Sequence, residues 1–220
     1  MSQSVWRWIR SIFSRGGSDQ FDAIKPDVEK LLATPVDSDA DRDAVDEQVV
    51  AVLERLNDEI NRIRRAAKGY PKRGGMAATD WMEGVGFADL SCALYEHFER
   101  SGWLQRAENA SALWAKAVLA VCSHYHHMVG PAMLANADCQ ERLGNVDRAT
   151  HMYRAVVGDF EFLLDDYTEG ETVELDEDSR TAIESLDTAV SRLLELEPAA
   201  PDTSKLERLR ARTGTALGRT

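Results

Sequence analysis

The stretch from Gly130 to Leu163 constrains the fold more than any other part of the chain. Gly130 reads as the end of whatever precedes it. Pro131 suits the first position of a new helix, where its missing N–H needs no partner. Met133, Leu134, Ala137 and Leu143 then recur at the spacing of one helical face. Gly144-Asn145 reads as a stop followed by an N-cap. Val146, Ala149, Met152, Tyr153, Val156 and Val157 resume the helical spacing. Two amphipathic helices joined by so short a turn pack antiparallel. Ala137 and Ala149 are small enough to let the two axes approach, and Tyr153 is expected to fill the seam beside them.

In that order and at that spacing, small Ala137, turn Gly144, Ala149 and aromatic Tyr153 resemble a tetratricopeptide (TPR) helical hairpin. The resemblance covers about one repeat. It implies an all-α fold of antiparallel helical hairpins, in a short TPR-like solenoid or an irregular helical bundle. It also implies binding of other proteins on the concave face formed by each hairpin's first helix. On that implication Asn136 and Gln140, in the helix Pro131–Leu143, are candidate polar contacts to a protein partner, and the same side of Asp80–Ser101 supplies others. Gly102 and Gly144 lie 42 residues apart, against about 34 in a regular repeat. The helices are therefore longer than the family's, or the array is irregular.

Composition agrees with the class. Alanine, leucine, arginine and glutamate are plentiful, β-branched runs are rare, and no convincing period-2 strand occurs. A chain of 220 residues is long enough to bury a full core. The formal charge of −12 opposes a general nucleic-acid role, which depends on neutralising phosphates. The charge is uneven: residues 1–15 carry +3, residues 203–220 carry +4, and the rest carries −19. An acidic body with basic ends can contact its own ends or two different partners, or the ends are ordinary solvated tails. Three cysteines, Cys92, Cys122 and Cys139, sit inside helical patterns and read as small buried hydrophobes in a reducing compartment. No stretch approaches the roughly 18 apolar residues of a spanning helix. The N-terminus lacks the pattern of a secretory signal. A cytoplasmic location is expected, with peripheral contact at a membrane as an addition to it.

That addition rests on residues Ser4–Arg15. As a helix they place Val5, Trp8, Ile9 and Ile12 on one face with Phe13 at its edge, while Arg7, Arg10, Ser11 and Ser14 lie toward the other side. Trp6, Trp8, Ile9, Ile12, Phe13, Arg7 and Arg10 are the candidate anchor, joined to the body by Gly16-Gly17-Ser18. A cationic helix with aromatic residues on its apolar side fits a membrane interface, a partner groove or a docking face on its own domain. The domain reading is accordingly an N-terminal segment at 1–17, an α-helical TPR-like domain at 18–197 and a basic C-terminal tail at 198–220.

Along the body, Asp19–Leu32 reads as a short helix that starts late or kinks at Pro26. The polar stretch through Asp41 reads as a linker. Asp43–Lys68 follows as a long helix with a stripe at Val45, Val49, Val52, Leu56, Ile60 and Ile63. That stripe suits a packed helix, or a seam for self-assembly into a homo-oligomer. Arg62, Arg64, Arg65, Lys68, Lys72 and Arg73 gather near a loop, as helix C-termini attract cations, and as a phosphate or acidic-peptide site would. Asp80 with Glu83 resembles a capping box. Trp103-Leu104 opens a helix through Met128. Ser179–Leu196 reads as a final helix, with a further short one at Ser204–Arg212.

Three arrangements invite chemistry. Cys122, His124, His126 and His127 resemble part of a metal site, with Cys139 and His151 as the only second contributors, but the spacing matches no zinc pattern. Histidines at a helix end, facing the negative pole of its dipole, account for them without a metal. Asp165, Glu169, Gly170, Glu171, Glu174 and Asp176 place a glycine as a calcium loop does, yet Tyr167 falls on a ligand position and Asp176 replaces the bidentate glutamate. No nucleophile elbow accompanies any serine. No metal, cofactor or catalytic residue is therefore expected. The leading expectation is a non-catalytic interaction scaffold or adaptor. The alternatives are an all-α metal-dependent enzyme using residues 122–127 and a self-assembling structural protein using the Val45–Ile63 stripe.

Overall fold

The computed structural model describes residues 19–67, 78–121, 126–165 and 175–219. Among them every regular element is helical: α1 (Asp19–Leu32), α2 (Asp39–Ala67), α3 (Ala78–Arg100), α4 (Leu104–Val121), α5 (His126–Arg142), α6 (Val146–Phe160), a 3₁₀ turn (Glu161–Leu164), α7 (Glu177–Leu196) and α8 (Thr203–Ala216). The all-α class is as expected. The division of the chain differs from the expected 18–197 domain with a tail. Two compact units meet at Val121/Cys122, and residues 198–220 contain α8, which packs into the second.

The first unit is built by helical periodicity. Phe21, Ile24, Val28 and Leu31 put one face of α1 in the core. Pro26 lies on the exposed side, and the helix continues through it. The stripe of α2 is buried in this same unit: Val49, Val52, Leu56, Ile60 and Ile63 are each at most 3% exposed. It is thus spent on α3, α4 and α1 and is no free seam for a second copy. The start of α2 corrects the expected linker. Ser38 Oγ accepts from the Asp41 N–H at 3.2 Å while Asp41 Oδ2 accepts from the Ser38 N–H at 3.2 Å. That reciprocal capping box begins the helix at Asp39. Glu83, expected to cap α3, instead accepts from Arg62 Nη2 at 2.5 Å, because α3 already begins at Ala78. Trp81 Nε1 donates to the Val121 carbonyl at 3.1 Å and fastens the far end of α4 to α3. The helix expected to run through Met128 ends at Val121, and Met128 belongs to α5.

The turns of the α3/α4 and α5/α6 hairpins are the same object. Gly102 and Gly144 take φ of +73° and +82°, where a side chain would be strained. In the first, Trp103 N–H reaches the Phe98 carbonyl at 2.9 Å and Gly102 N–H reaches Glu99 at 3.0 Å. In the second, Asn145 N–H reaches Gln140 at 2.8 Å and Gly144 N–H reaches Glu141 at 2.9 Å. Both are Schellman caps that satisfy the last carbonyls of a helix. The sequence repeats with them. Glu99-Arg100-Ser101-Gly102 and Glu141-Arg142-Leu143-Gly144 are followed at the same distance by Arg106-Ala107 and Arg148-Ala149. Both alanines are fully buried.

In the second unit α7 packs against both α5 and α6, and α8 packs against α7. Ala137, Ala149, Tyr153 and Val156 fill the first seam as expected, whereas Val146 is 42% exposed. Ile183, Leu186, Val190 and Leu193 line the buried face of α7, each contributing about 1.5–3 kcal/mol by leaving water. Gly130 corrects its reading as a terminator. It lies inside α5, where a Cβ would sit 2.5 Å from Ser185 Oγ and 2.8 Å from a Phe160 ring carbon. Its lack of a side chain lets α5 and α7 touch.

Candidate functional site

The expected contact residues on α5 come first. Gln140 precedes the turn, and its side-chain oxygen accepts from Asn145 Nδ2 at 2.9 Å. Asn145 stands at the N-cap position of α6, but its side chain caps nothing there. Gln140 is 1% exposed and Asn136 3%. Both are therefore internal, which overturns their assignment as contacts to a partner. The physical reason for Gln140 is local: its amide oxygen is used inside the hairpin, on Asn145. Toward its C-terminal end α5 has partly exposed Leu134, Asp138 and Glu141 and exposed Arg142.

Glu141 organises that side. Tyr153 Oη donates to Glu141 Oε2 at 3.2 Å. Arg192 of α7 donates to the same carboxylate through Nε at 3.3 Å and through Nη2, and its Nη1 pairs with Glu195. Asp138 pairs with Arg142 one turn on, at 3.3 Å. Burial, and then the Glu141 charge, push the Tyr153 phenol up to about 12. Hydrogen bonding to Glu141 raises the Arg192 guanidinium above its ordinary value. The phenol thus stays a donor and the guanidinium a cation across the physiological range. The cluster ties three helices together.

The expected anchor residues Trp6, Arg7, Trp8, Ile9, Arg10, Ile12 and Phe13 lie outside the described residues. So do Cys122 and His124. His126 meets the rings of Phe160 and Phe162 edge-on, at 4.9 Å and 5.2 Å. His127 Nδ1 stands 3.7 Å from Asp178 Oδ2. Cys139 is fully buried and His151 is exposed on α6. Among the described residues no three ligating side chains converge on a point where a metal ion would sit. Of the acidic stretch, Asp176 accepts from the Ser179 N–H at 2.7 Å and caps α7, and Asp165 lies 3.6 Å from Arg212. Tyr167, Glu169, Gly170, Glu171 and Glu174 lie outside the described residues.

The basic C-terminal range contacts its own unit. Lys205 pairs with Glu161 at 2.6 Å, Arg212 donates to the Leu164 carbonyl at 2.6 Å, and Arg219 pairs with Asp187 at 2.8 Å. Arg154 closes the α7–α8 connection by pairing with Glu197 at 2.6 Å and Asp202 at 2.7 Å. In the first unit Arg62 is held by Glu59 and Glu83, Arg64 and Arg65 are exposed, and Lys68, Lys72 and Arg73 lie outside the described residues. Phe162, 51% exposed beside His126, is a large apolar side chain left in water. The sequence reading missed it because it sits in an acidic run with no period of its own.

Comparison of the chain with protein-family models, with curated proteins and with solved structures finds no match. Among the described residues no helix is long and apolar enough to cross a membrane.

Proposed function

We propose that the chain is a non-catalytic protein–protein interaction scaffold or adaptor built from TPR-like helical hairpins. One observation carries the reading: the Glu-Arg-x-Gly turn, with Arg-Ala after it, recurs at Gly102 and Gly144 with the same cap. Recurrence of a supersecondary unit is the mark of a repeat architecture, whose usual work is to display helix surfaces to other proteins. The packing of α7 on both α5 and α6 supports it, since repeats extend by laying each new first helix against the preceding hairpin.

The surface offered to a protein partner is the outer side of α5 and α7: Asp138 and Arg142 on one, Glu195 beside Arg192 on the other. A partner's charged segment would exchange with these exposed pairs, which are individually weak in water. Recruitment of the adaptor to a membrane surface or to a partner through residues 1–17 belongs to the same reading.

The test uses the full chain as bait in its native cell extract, against the double variant Arg142→Glu, Glu195→Arg. A protein retained in near-stoichiometric amount by the first and lost by the second, with circular dichroism unchanged, is expected. Retention of the same protein by both discards this surface. One zinc per purified chain, lost in His126→Ala, would replace the adaptor reading with a metal-site one. Vesicle sedimentation of the full chain and of a chain beginning at Ser18 tests the recruitment: equal sedimentation removes the membrane.

A further inference from the structure

In the first unit the connection between α1 and α2, residues 33–38, is tied down at the α3–α4 turn. Arg42 does part of this with a permanent charge. Its Nε donates to the Val36 carbonyl at 3.1 Å and its Nη2 to the Ser101 carbonyl at 2.6 Å, so one guanidinium bonds both segments. His97 of α3 faces the same connection, with its ring hydrogen-bonded to the Thr34 backbone and close to the charge of Asp37. Its ring packs 5.5 Å from Phe98, which meets Trp103 edge-on at 5.5 Å. His97 Nε2 is buried and has no hydrogen-bond partner.

A neutral imidazole tolerates that position because a lone pair without a partner costs far less than a charge. A protonated one would hold a buried N–H with no acceptor, inside a cationic ring with no counter-ion bonded to it. The charged groups facing it are Arg100 on its own helix and Asp37 on the connection, with Arg42 of α2 at the neighbouring carbonyls.

We infer that His97 is an acid-sensitive latch: when it takes a proton from solvent, residues 33–38 and α1 loosen from the α3–α4 end of their unit. Burial first, and the Arg100 charge second, hold the His97 pKa below its ordinary value. Asp37 and the Thr34 backbone act the other way and are outweighed. In the opened state the ring regains its ordinary value near 6.5. Opening therefore binds a proton. The closed state is fully favoured above about pH 6.5 and weakens as pH falls from there toward the lowered value. Within that window each pH unit shifts the opening equilibrium by up to about tenfold. The element released is the one to which residues 1–18 are joined.

Hydrogen exchange of the full chain, read by mass spectrometry at pH 7.5 and pH 5.5 and corrected for the intrinsic rates, tests the latch. Peptides spanning 19–38 should lose protection by up to about tenfold in acid, while those spanning 182–193 of the second unit hold theirs. In His97→Gln the acid loss at 19–38 should vanish. Arg100→Gln, which leaves the histidine in place, should shrink it, because the folded pKa then rises toward the opened one. Constant protection at 19–38 in the wild type, or an acid loss of the same size in either variant, overturns the latch.

Discussion

Gly130 of α5 and Ser185 of α7 meet with no room for a methyl group: a Cβ on Gly130 would lie 2.6 Å from Ser185 Cβ. Ser185 is itself held, its hydroxyl donating to the Thr181 carbonyl at 2.9 Å. The Phe160 ring crowds the same point, with a ring carbon 2.8 Å from it. Gly130→Ala should therefore destabilise the chain by about 1–3 kcal/mol, the usual cost of overpacking a filled core. Urea unfolding followed by far-UV circular dichroism reads it. An unchanged midpoint would mean that α5 and α7 are further apart than described.

The same logic applies at the α5/α6 seam. Ala137 and Ala149 are fully buried and Tyr153 is 2% exposed. Ala149→Leu adds three carbons where none fit and should cost about 1–3 kcal/mol. Ala149→Gly is the companion measurement. It removes one methyl without overpacking, so its penalty should come near the 1 kcal/mol or so of helix propensity plus a small cavity.

Two glycines that look alike in sequence should respond with opposite signs. Gly144 sits at φ +82° and Gly158 inside α6, each with nothing within 4 Å of an added Cβ. Only backbone conformation separates them. Gly144→Ala should cost roughly 1 kcal/mol through left-handed strain. Gly158→Ala should gain up to about 1 kcal/mol in helix propensity. Equal effects would contradict the Schellman turn.

What was legible in the chain follows from which signals are local. Ala149, Gly144 and Tyr153 declare the hairpin because period, turn chemistry and small residues all act within one pair of helices. Asn136 and Gln140 misled because a polar side chain on an amphipathic helix reads as outward-facing. Their burial is a tertiary fact that the pattern of the helix itself does not carry. Gly130-Pro131 read as a helix break by the ordinary preference of both residues, yet a close approach to Ser185 uses the glycine inside a continuous helix. Ser38-x-x-Asp41 was readable as a capping box and was masked by the acidic run around it. His97 gave no signal, since a lone histidine on a helix becomes informative only when its nitrogen is seen to be buried without a partner.

The N-terminus of α7 supplies a second acid-sensitive contact, separable from His97 by its range. Asp176 has an extended backbone and its Oδ1 accepts from the Ser179 N–H at 2.7 Å. That backbone bond first, the Ser179 side chain next, and then the His127 charge and the Asp178 backbone hold its carboxyl below the ordinary value, against desolvation. An unfolded chain has none of these, so it binds a proton there at higher pH than the folded chain does. The contribution of Asp176 is then complete above the ordinary carboxylate value near 4 and is lost as pH falls through the folded one. Asp176→Asn keeps an N-cap oxygen without the charge, and Asp176→Ala keeps neither. At pH 7 the alanine variant should unfold at lower urea than the asparagine variant. As pH drops below 4 the wild type should converge toward the asparagine variant, because protonation turns its carboxylate into a neutral cap. If instead the alanine variant matches the wild type at pH 7, Asp176 does not cap α7, and the start of that helix must be held by something else.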